Sequence, residues 1–291
     1  MRYEGPIYRP PSEADSLLIQ ATVGCPYNKC TFCMVYKKGP PFKIRPVEEI
    51  CEDMAFAKRM SGQNVRRIFF PAGNTIVMPT PDLSKICGFA REQFPDLERI
   101  TVYGSSRYIA KKGPRELEIL KNAGLSRIHV GLESGDDKVL IRVKKGTTSE
   151  EQIRAGIWVK EAGIELSEYV ILGLGGVELS ESHALETARA INAIGPDFVR
   201  LRTFLPKINT LMLYQIKKGK FMLLSPHEVL RETRLLIQHI TCKTILTSDH
   251  YTNYINLKGY LPEDREKLLA EIDIALKWDE SRFRPIFIGT Q

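Results

Sequence analysis

An α/β fold built on a mainly parallel sheet is what the 291-residue sequence predicts. Apolar runs of strand length alternate with segments whose apolar residues recur at helical spacing, and the links between them are short. Glycine, proline and capping residues fall at the junctions. Short strand–helix–strand links call for right-handed crossovers, which lay the strands parallel and cover the sheet with helices. Strand-like runs begin near residues 17, 67, 100, 128, 165 and 197. That count is below the eight of a closed (β/α)8 barrel, and an open doubly wound sheet is the alternative on pattern alone. In either arrangement ligands gather at the C-terminal ends of the strands.

Residues 1–16, with Pro6, Pro10 and Pro11, read as an N-terminal arm, and 17–23 as a buried first strand. A basic, proline-marked stretch then leads into a helix carrying Val47, Ile50, Met54 and Ala57 on one face, with Glu48 and Glu49 at its positive end. Residues 67–70 form the next strand, and 81–94 a helix capped by Thr80 and stopped by Pro95. Strand 100–103 precedes helix 114–123, which ends at Gly124, a residue type suited to a left-handed cap. Strand 128–132 precedes a helix opened by Thr148 or Ser149 and ending near Gly163; strand 165–172, helix 180–194, strand 197–204 and helix 226–240 follow. The rhythm breaks after 240. A polar and aromatic stretch at 246–254 resembles a pocket lining, 262–278 reads as an amphipathic helix bearing Leu268, Leu269, Ile272 and Leu276, and 283–288 is expected to pack back on the domain. The predicted organisation is an arm (1–16), a core (17–240) and a C-terminal extension (241–291) that closes the barrel.

Hydrophobic residues make up 43% of the chain, enough for a sizeable core. No window approaches the about 18 uninterrupted apolar residues of a membrane span, and the N-terminus lacks an apolar signal core, so a cytoplasmic location with no membrane partner is expected. The net charge of +7 favours anions, nucleic acid among them. Basic residues are nonetheless scattered in pairs such as Lys37-Lys38 and Lys217-Lys218, with no basic run interleaved with aromatics, so a small-molecule substrate is preferred to RNA.

Chemistry concentrates in one loop. Cys25, Cys30 and Cys33, spaced Cys-x4-Cys-x2-Cys, directly follow the first strand. Close spacing lets one loop present three soft thiolates to one centre, of iron–sulfur, zinc or copper type. Structural zinc and ordinary 4Fe–4S sites want four protein ligands, so a triplet leaves one position open for a small molecule unless a distant His or Cys completes a zinc knuckle. Cys51, Cys87 and Cys242 are far apart and read as small apolar residues on helices or strands.

The triplet, its place after the first strand and Phe32 just before the last cysteine resemble the radical S-adenosylmethionine (SAM) superfamily, although the commonest spacing there is one residue shorter. The resemblance covers residues 17 to about 205 and implies a partial (β/α)6 TIM-like barrel. It also implies a 4Fe–4S cluster on Cys25, Cys30 and Cys33, SAM on the open iron, and an external electron donor of flavodoxin or ferredoxin type. The segment 26–29 is expected to bulge outward so that the three sulfurs still converge.

By the same resemblance, Ala72-Gly73-Asn74 after the second strand would hold the methionine amino group, with Asn74 standing where an acid is usual. Ser105 and Arg107 suit the ribose and carboxylate of SAM. Glu133, in Gly131-Leu-Glu-Ser-Gly135, would lie near the ribose or amino group, and Gly173 and Gly175 near the adenine. Plain turn roles remain open for all of these. Lys144 or Lys145 could meet the carboxylate, though an exposed pair at a helix end is the default. Candidate substrate contacts are His183, Asp249, His250 and Asn253, with His183 more readily a helix-surface residue. Sulfur insertion is disfavoured because no second cysteine cluster is visible, and the chain is short for a cobalamin domain. An RNA-modifying enzyme of this superfamily and a non-catalytic iron–sulfur or zinc protein are the alternatives.

Overall fold

The computed structural model describes residues 1–33, 35–61, 64–206 and 210–284. The chain forms two compact units, one of residues 1–28, 35–130 and 158–166, the other of 29–34, 131–157 and 167 onward.

The first unit contains β1 (Leu17–Leu18), β2 (Thr22–Val23), β3 (Lys43–Ile44), α1 (Val47–Ser61), β4 (Arg67–Phe70), α2 (Thr80–Gln93), β5 (Arg99–Gly104) and α3 (Ser106–Asn122). It also holds most of β6 (Arg127–Glu133). Strands β1, β4, β5 and β6 run parallel in that order, with Leu17 beside Ile68, Phe69 beside Thr101 and Tyr103 beside His129. One face, carrying Ile68, Phe70, Ile100, Val102, Ile128 and Val130, is closed and apolar. On the other, the Phe69 ring meets Tyr103 and His129 edge-on at 5.0 and 6.0 Å.

Three expectations change here. Residues 17–23 are two short strands, and β2 pairs antiparallel with β3. The break has non-local causes: the Gln20 carboxamide exchanges hydrogen bonds with the Glu4 backbone, and the carbonyls of Gln20 and Ala21 accept from the Arg45 side chain and backbone. Thr80 does not cap α2, whose N-cap is Pro79; its hydroxyl donates to Glu116 and accepts from Lys112 Nζ. Helix α3 begins eight residues before Pro114 and kinks at Gly113 (φ 70°), because proline lacks an N–H and disfavours helical geometry in the residue before it. The arm is tied down by Glu13, which is wholly buried and bonds Arg99 and His129.

The second unit contains α4 (Asp137–Arg142), most of α5 (Ser149–Glu161), most of β7 (Glu165–Leu172), α6 (Gly176–Ile194), β8 (Phe198–Thr203), α7 (Leu211–Lys217), α8 (Pro226–His239), β9 (Thr244–Thr247), β10 (Lys258–Leu261) and α9 (Arg265–Ala275). Strands β7, β8 and β9 are parallel, and β10 returns antiparallel to β9. Thr148 and Glu151 close a capping box on α5, and Ser225 and Glu228 another on α8. The residues after 240 thus add one parallel strand, β9, and one antiparallel strand, β10, beyond the six expected. Phe283 packs against Trp278, His227 and Tyr254; the expected packing of 285–288 lies outside the described residues. The α/β class with mostly parallel strands is as predicted. Among the described residues no helix is long and apolar enough to cross a membrane.

Candidate functional site

In the first unit, the loops after β2, β4 and β5 meet. Gly24 turns the chain with φ 70°, and its carbonyl accepts the Gly73 N–H at 3.1 Å. A Cβ on Gly73 would stand 2.6 Å from that carbonyl and 2.9 Å from both Cys25 Cβ and the Tyr36 ring, so only glycine fits. The extra residue of the cysteine spacing is absorbed in a left-handed turn at Asn28 (φ 44°). The Asn28 N–H donates to Cys25 Sγ at 3.4 Å, its side chain donates to the Tyr36 carbonyl at 3.0 Å, and its own carbonyl accepts from Lys37. Ala72 holds the strained φ of 89° while fully buried. Asn74 is also buried; its Nδ2 donates to Ser105 Oγ at 2.8 Å, and its Oδ1 has no hydrogen-bond partner. The exposed Arg107 guanidinium stacks 4.7 Å above the Tyr27 ring of the cysteine loop. Cys25, Ala72, Gly73, Asn74, Ser105 and Arg107 therefore share one end of the first unit's sheet.

In the second unit, the N–H and carbonyl of Thr31, between Cys30 and Cys33, bond the Val143 carbonyl at 2.9 Å and the Met212 N–H at 3.4 Å. Phe32 packs on the core formed by Val139, Val143, Leu174, Phe204, Met212 and Phe221. Glu133, at φ 62° where β6 ends, accepts from Lys145 Nζ at 2.9 Å. Lys145 is only 11% exposed, which overturns its reading as half of an exposed pair. Burial works to lower its pKa, but Glu133, Cys30 and Glu168 outweigh burial and raise it. A Cβ on Gly131 would push aside the Glu133 carboxylate and the Lys145 ammonium, and Gly135 is required because a Cβ there would overlap the Glu186 backbone. Glu168, in mid-β7, is wholly buried with neither carboxyl oxygen hydrogen-bonded; burial pushes its pKa up to about 8 against the pull of Lys145.

The Gly173 N–H (φ 75°) donates to Glu232 Oε1 at 2.6 Å, and Glu232 Oε2 accepts from Ser180 at 2.6 Å. The Gly175 carbonyl accepts from Arg142 at 3.1 Å. His183 is 1% exposed and lies 2.8 Å from Ser134 Oγ and 3.1 Å from the Ile171 carbonyl, so the helix-surface reading is overturned. It braces the loops after β6 and β7. Asp249 is exposed, and His250 bonds Thr252 at 2.8 Å. Asn253 is buried, accepting from Thr203 Oγ1 at 3.1 Å and donating to the Leu201 carbonyl at 2.8 Å, which ties down the end of β8. Cys87, buried in α2, has its thiol pushed up to about 12 by burial. Cys242 lies between α8 and β9 instead of on a helix or strand.

Sequence reasoning missed Lys145 as a buried residue, and missed Glu168, Glu232 and the β8 pair Arg200 and Arg202. A charged residue inside an otherwise apolar strand was the available signal for three of the five. Cys25 belongs to the first unit, Cys30 and Cys33 to the second. Among the described residues no three His, Cys, Asp or Glu side chains are gathered as ligands of one metal ion. Within each unit the residues present fit the needs of a cluster with SAM: thiolate donors, backbone at Gly73 packed closely on Cys25, and the orphaned buried acceptor of Asn74.

The family model described as the radical SAM superfamily matches residues 19–189. A 4'-phospho-dehydrooxetanocin synthase of Priestia megaterium is 27% identical over 166 residues, 52% of this chain and 22% of that protein. A tRNA-2-methylthio-N(6)-dimethylallyladenosine synthase of Fusobacterium nucleatum is 26% identical over 221 residues, 69% of this chain and 44% of that protein. The chain therefore spans less than half the length of these curated relatives. Coproporphyrinogen III oxidase from Escherichia coli, a radical SAM enzyme, shares the fold with a TM-score of 0.54 at 16% identity, over 77% of this chain and 52% of that one.

Proposed function

Because the chain belongs to the radical SAM superfamily, whose members use a 4Fe–4S cluster and SAM, we propose that it is an enzyme that cleaves SAM reductively, with Cys25, Cys30 and Cys33 as the cluster ligands. When bound, the cluster supplies the electron that splits SAM into methionine and a 5'-deoxyadenosyl radical able to take hydrogen from a substrate. The observation that carries the reading is Asn74, whose buried amide oxygen has no partner beside the Gly73 turn that packs on Cys25. Such an orphan is costly unless a ligand donor, here the methionine ammonium, meets it. Ala72 and Gly73 offer backbone beside it. Glu133 and Lys145 together present an acceptor and a cation, suited to the polar groups of SAM, while the turn at Gly173 and Gly175, held by Glu232 and Arg142, is the segment assigned to the adenine. Ser105 holds the Asn74 amide in place, and Arg107 covers Tyr27 of the cysteine loop.

The substrate reading is a small molecule, with electrons from an external carrier of flavodoxin or ferredoxin type. A tRNA substrate is the second reading, favoured by similarity to the tRNA-modifying relative over 69% of the chain and by the net charge of +7; it predicts RNA binding that weakens steeply with salt. The metal is tested by anaerobic reconstitution. About four irons and four sulfides per chain are expected, with a reduced-cluster electron paramagnetic resonance signal that shifts on adding SAM. A tightly bound zinc, or a signal indifferent to SAM, would contradict the reading.

A further inference from the structure

Strand β8 carries two arginines on one face. Arg200 stands in register between Tyr169 of β7 and Thr247 of β9, and Arg202 beside Ile171. The strand's opposite face, Val199 and Leu201, is closed and apolar.

Arg200 is 8% exposed, and the groups around it are neutral. Its Nε donates to Ser167 Oγ at 3.1 Å and its Nη1 to Thr247 Oγ1 at 3.3 Å, with the Phe198 ring 5.5 Å away. The Arg202 guanidinium lies 5.2 Å above the Tyr169 ring, and its Nε is buried without a hydrogen-bond partner. Among the described residues no carboxylate pairs with either arginine.

A guanidinium cannot shed its proton, so burial leaves the charge in place. Two of them, two residues apart on one strand face, stand only about 7 Å apart along the backbone and repel each other. Hydroxyls and ring faces offset part of the desolvation; a buried cation without a counter-charge is otherwise strongly unfavourable. The missing component is an anion. Arg202 is the penultimate residue of β8 and Arg200 lies one turn of the pleat before it, so the pair runs toward the C-terminal end of a parallel strand, where ligands bind.

We propose that Arg200 and Arg202 form a subsite for an oxyanion of the substrate, a phosphate or carboxylate group gripped by two guanidinium forks. This rests on the reading of the chain as a radical SAM enzyme for its identification of the ligand as substrate, but the anion site itself does not. Neutral substrates would leave the pair uncompensated, whereas an anchored anion would fix the rest of the molecule relative to the strand ends.

The test uses the full chain with inorganic phosphate and, separately, malonate as probes, followed by calorimetry and thermal shift. Saturable binding of at least one probe is expected; Arg200→Gln and Arg202→Gln should each weaken it by about tenfold or more, with Arg202→Lys between them and wild type. Preference between the probes distinguishes phosphate from carboxylate substrates. Absence of saturable binding in the wild-type chain, or equal affinity in folded variants, would overturn the proposal. So would mutual exclusion between the probe and SAM, which would assign the site to the SAM carboxylate. Arg202, less buried than Arg200, keeps the test open if Arg200→Gln fails to fold. Failure of SAM cleavage with anion binding intact would count against the enzyme reading alone.

Discussion

Lys145 Nζ lies 2.9 Å from Glu133 Oε1, and both side chains are at least 86% buried, at the end of the strand that carries the Gly-x-Glu-Ser-Gly segment. Glu133 is the strongest of the groups that hold the Lys145 charge, ahead of Cys30 and Glu168. Glu133→Ala strands the ammonium in a low-dielectric site and is expected to destabilise the protein by about 3 kcal/mol. Urea denaturation at neutral pH measures this; a loss under about 1 kcal/mol would mean the pair is solvated like a surface bridge.

Glu168 behaves in the opposite sense. Its folded pKa of about 8 lies above the ordinary 4.5, so the unfolded chain ionises first and stability is lost as pH rises from 4.5 to 8. Glu168→Gln should therefore stabilise the protein, on the order of 3 kcal/mol at pH 7, with the gain vanishing toward pH 4.5. Thermal unfolding of both proteins across that range decides it.

Glu13 shows the usual carboxylate case. Burial would raise its pKa, but the bonds from His129 and Ser16 and the charge of Arg99 hold it at about 2, below the ordinary 4.5. The resulting stability, about 3 kcal/mol, is complete above pH 4.5 and disappears as pH falls through 2. In Glu13→Gln the acid limb of the stability profile should flatten, and the N-terminal arm should become more open to protease at pH 7. An unchanged acid limb would rule out this network as its source.

Gly73→Ala places a methyl 2.6 Å from the Gly24 carbonyl and against Cys25. Its φ is not left-handed, so the effect is purely steric. Iron and sulfide content after reconstitution should fall severalfold while the far-ultraviolet circular dichroism stays native; retention of full cluster content would show that Cys25 can move away.

Much of this was legible in the chain because the signals were local. The runs Arg67–Phe70, Arg99–Gly104 and Glu165–Leu172 are apolar enough to announce strands, and Gly24, Gly73 and Gly135 sit where only glycine fits. What escaped depends on distant partners. The split of residues 17–23 is made by Glu4 and Arg45, and the glycine turn after β7 is held by Glu232, 59 residues beyond Gly173. Helices α4 and α7, of six and seven residues, are too short for periodicity to register. Arg200 and Arg202 drew no reading from the sequence, because what surrounds them comes from distant strands: the register sets Arg200 between Tyr169 and Thr247 and Arg202 beside Ile171.

The central claim is that this chain cleaves SAM at a cluster held by Cys25, Cys30 and Cys33. Its most direct test is 5'-deoxyadenosine formation by the anaerobically reconstituted protein given dithionite and SAM. The account predicts product from the wild-type chain, and neither cluster nor product from Cys30→Ala. A wild-type cluster that assembles fully, is reduced and yields no 5'-deoxyadenosine would contradict it.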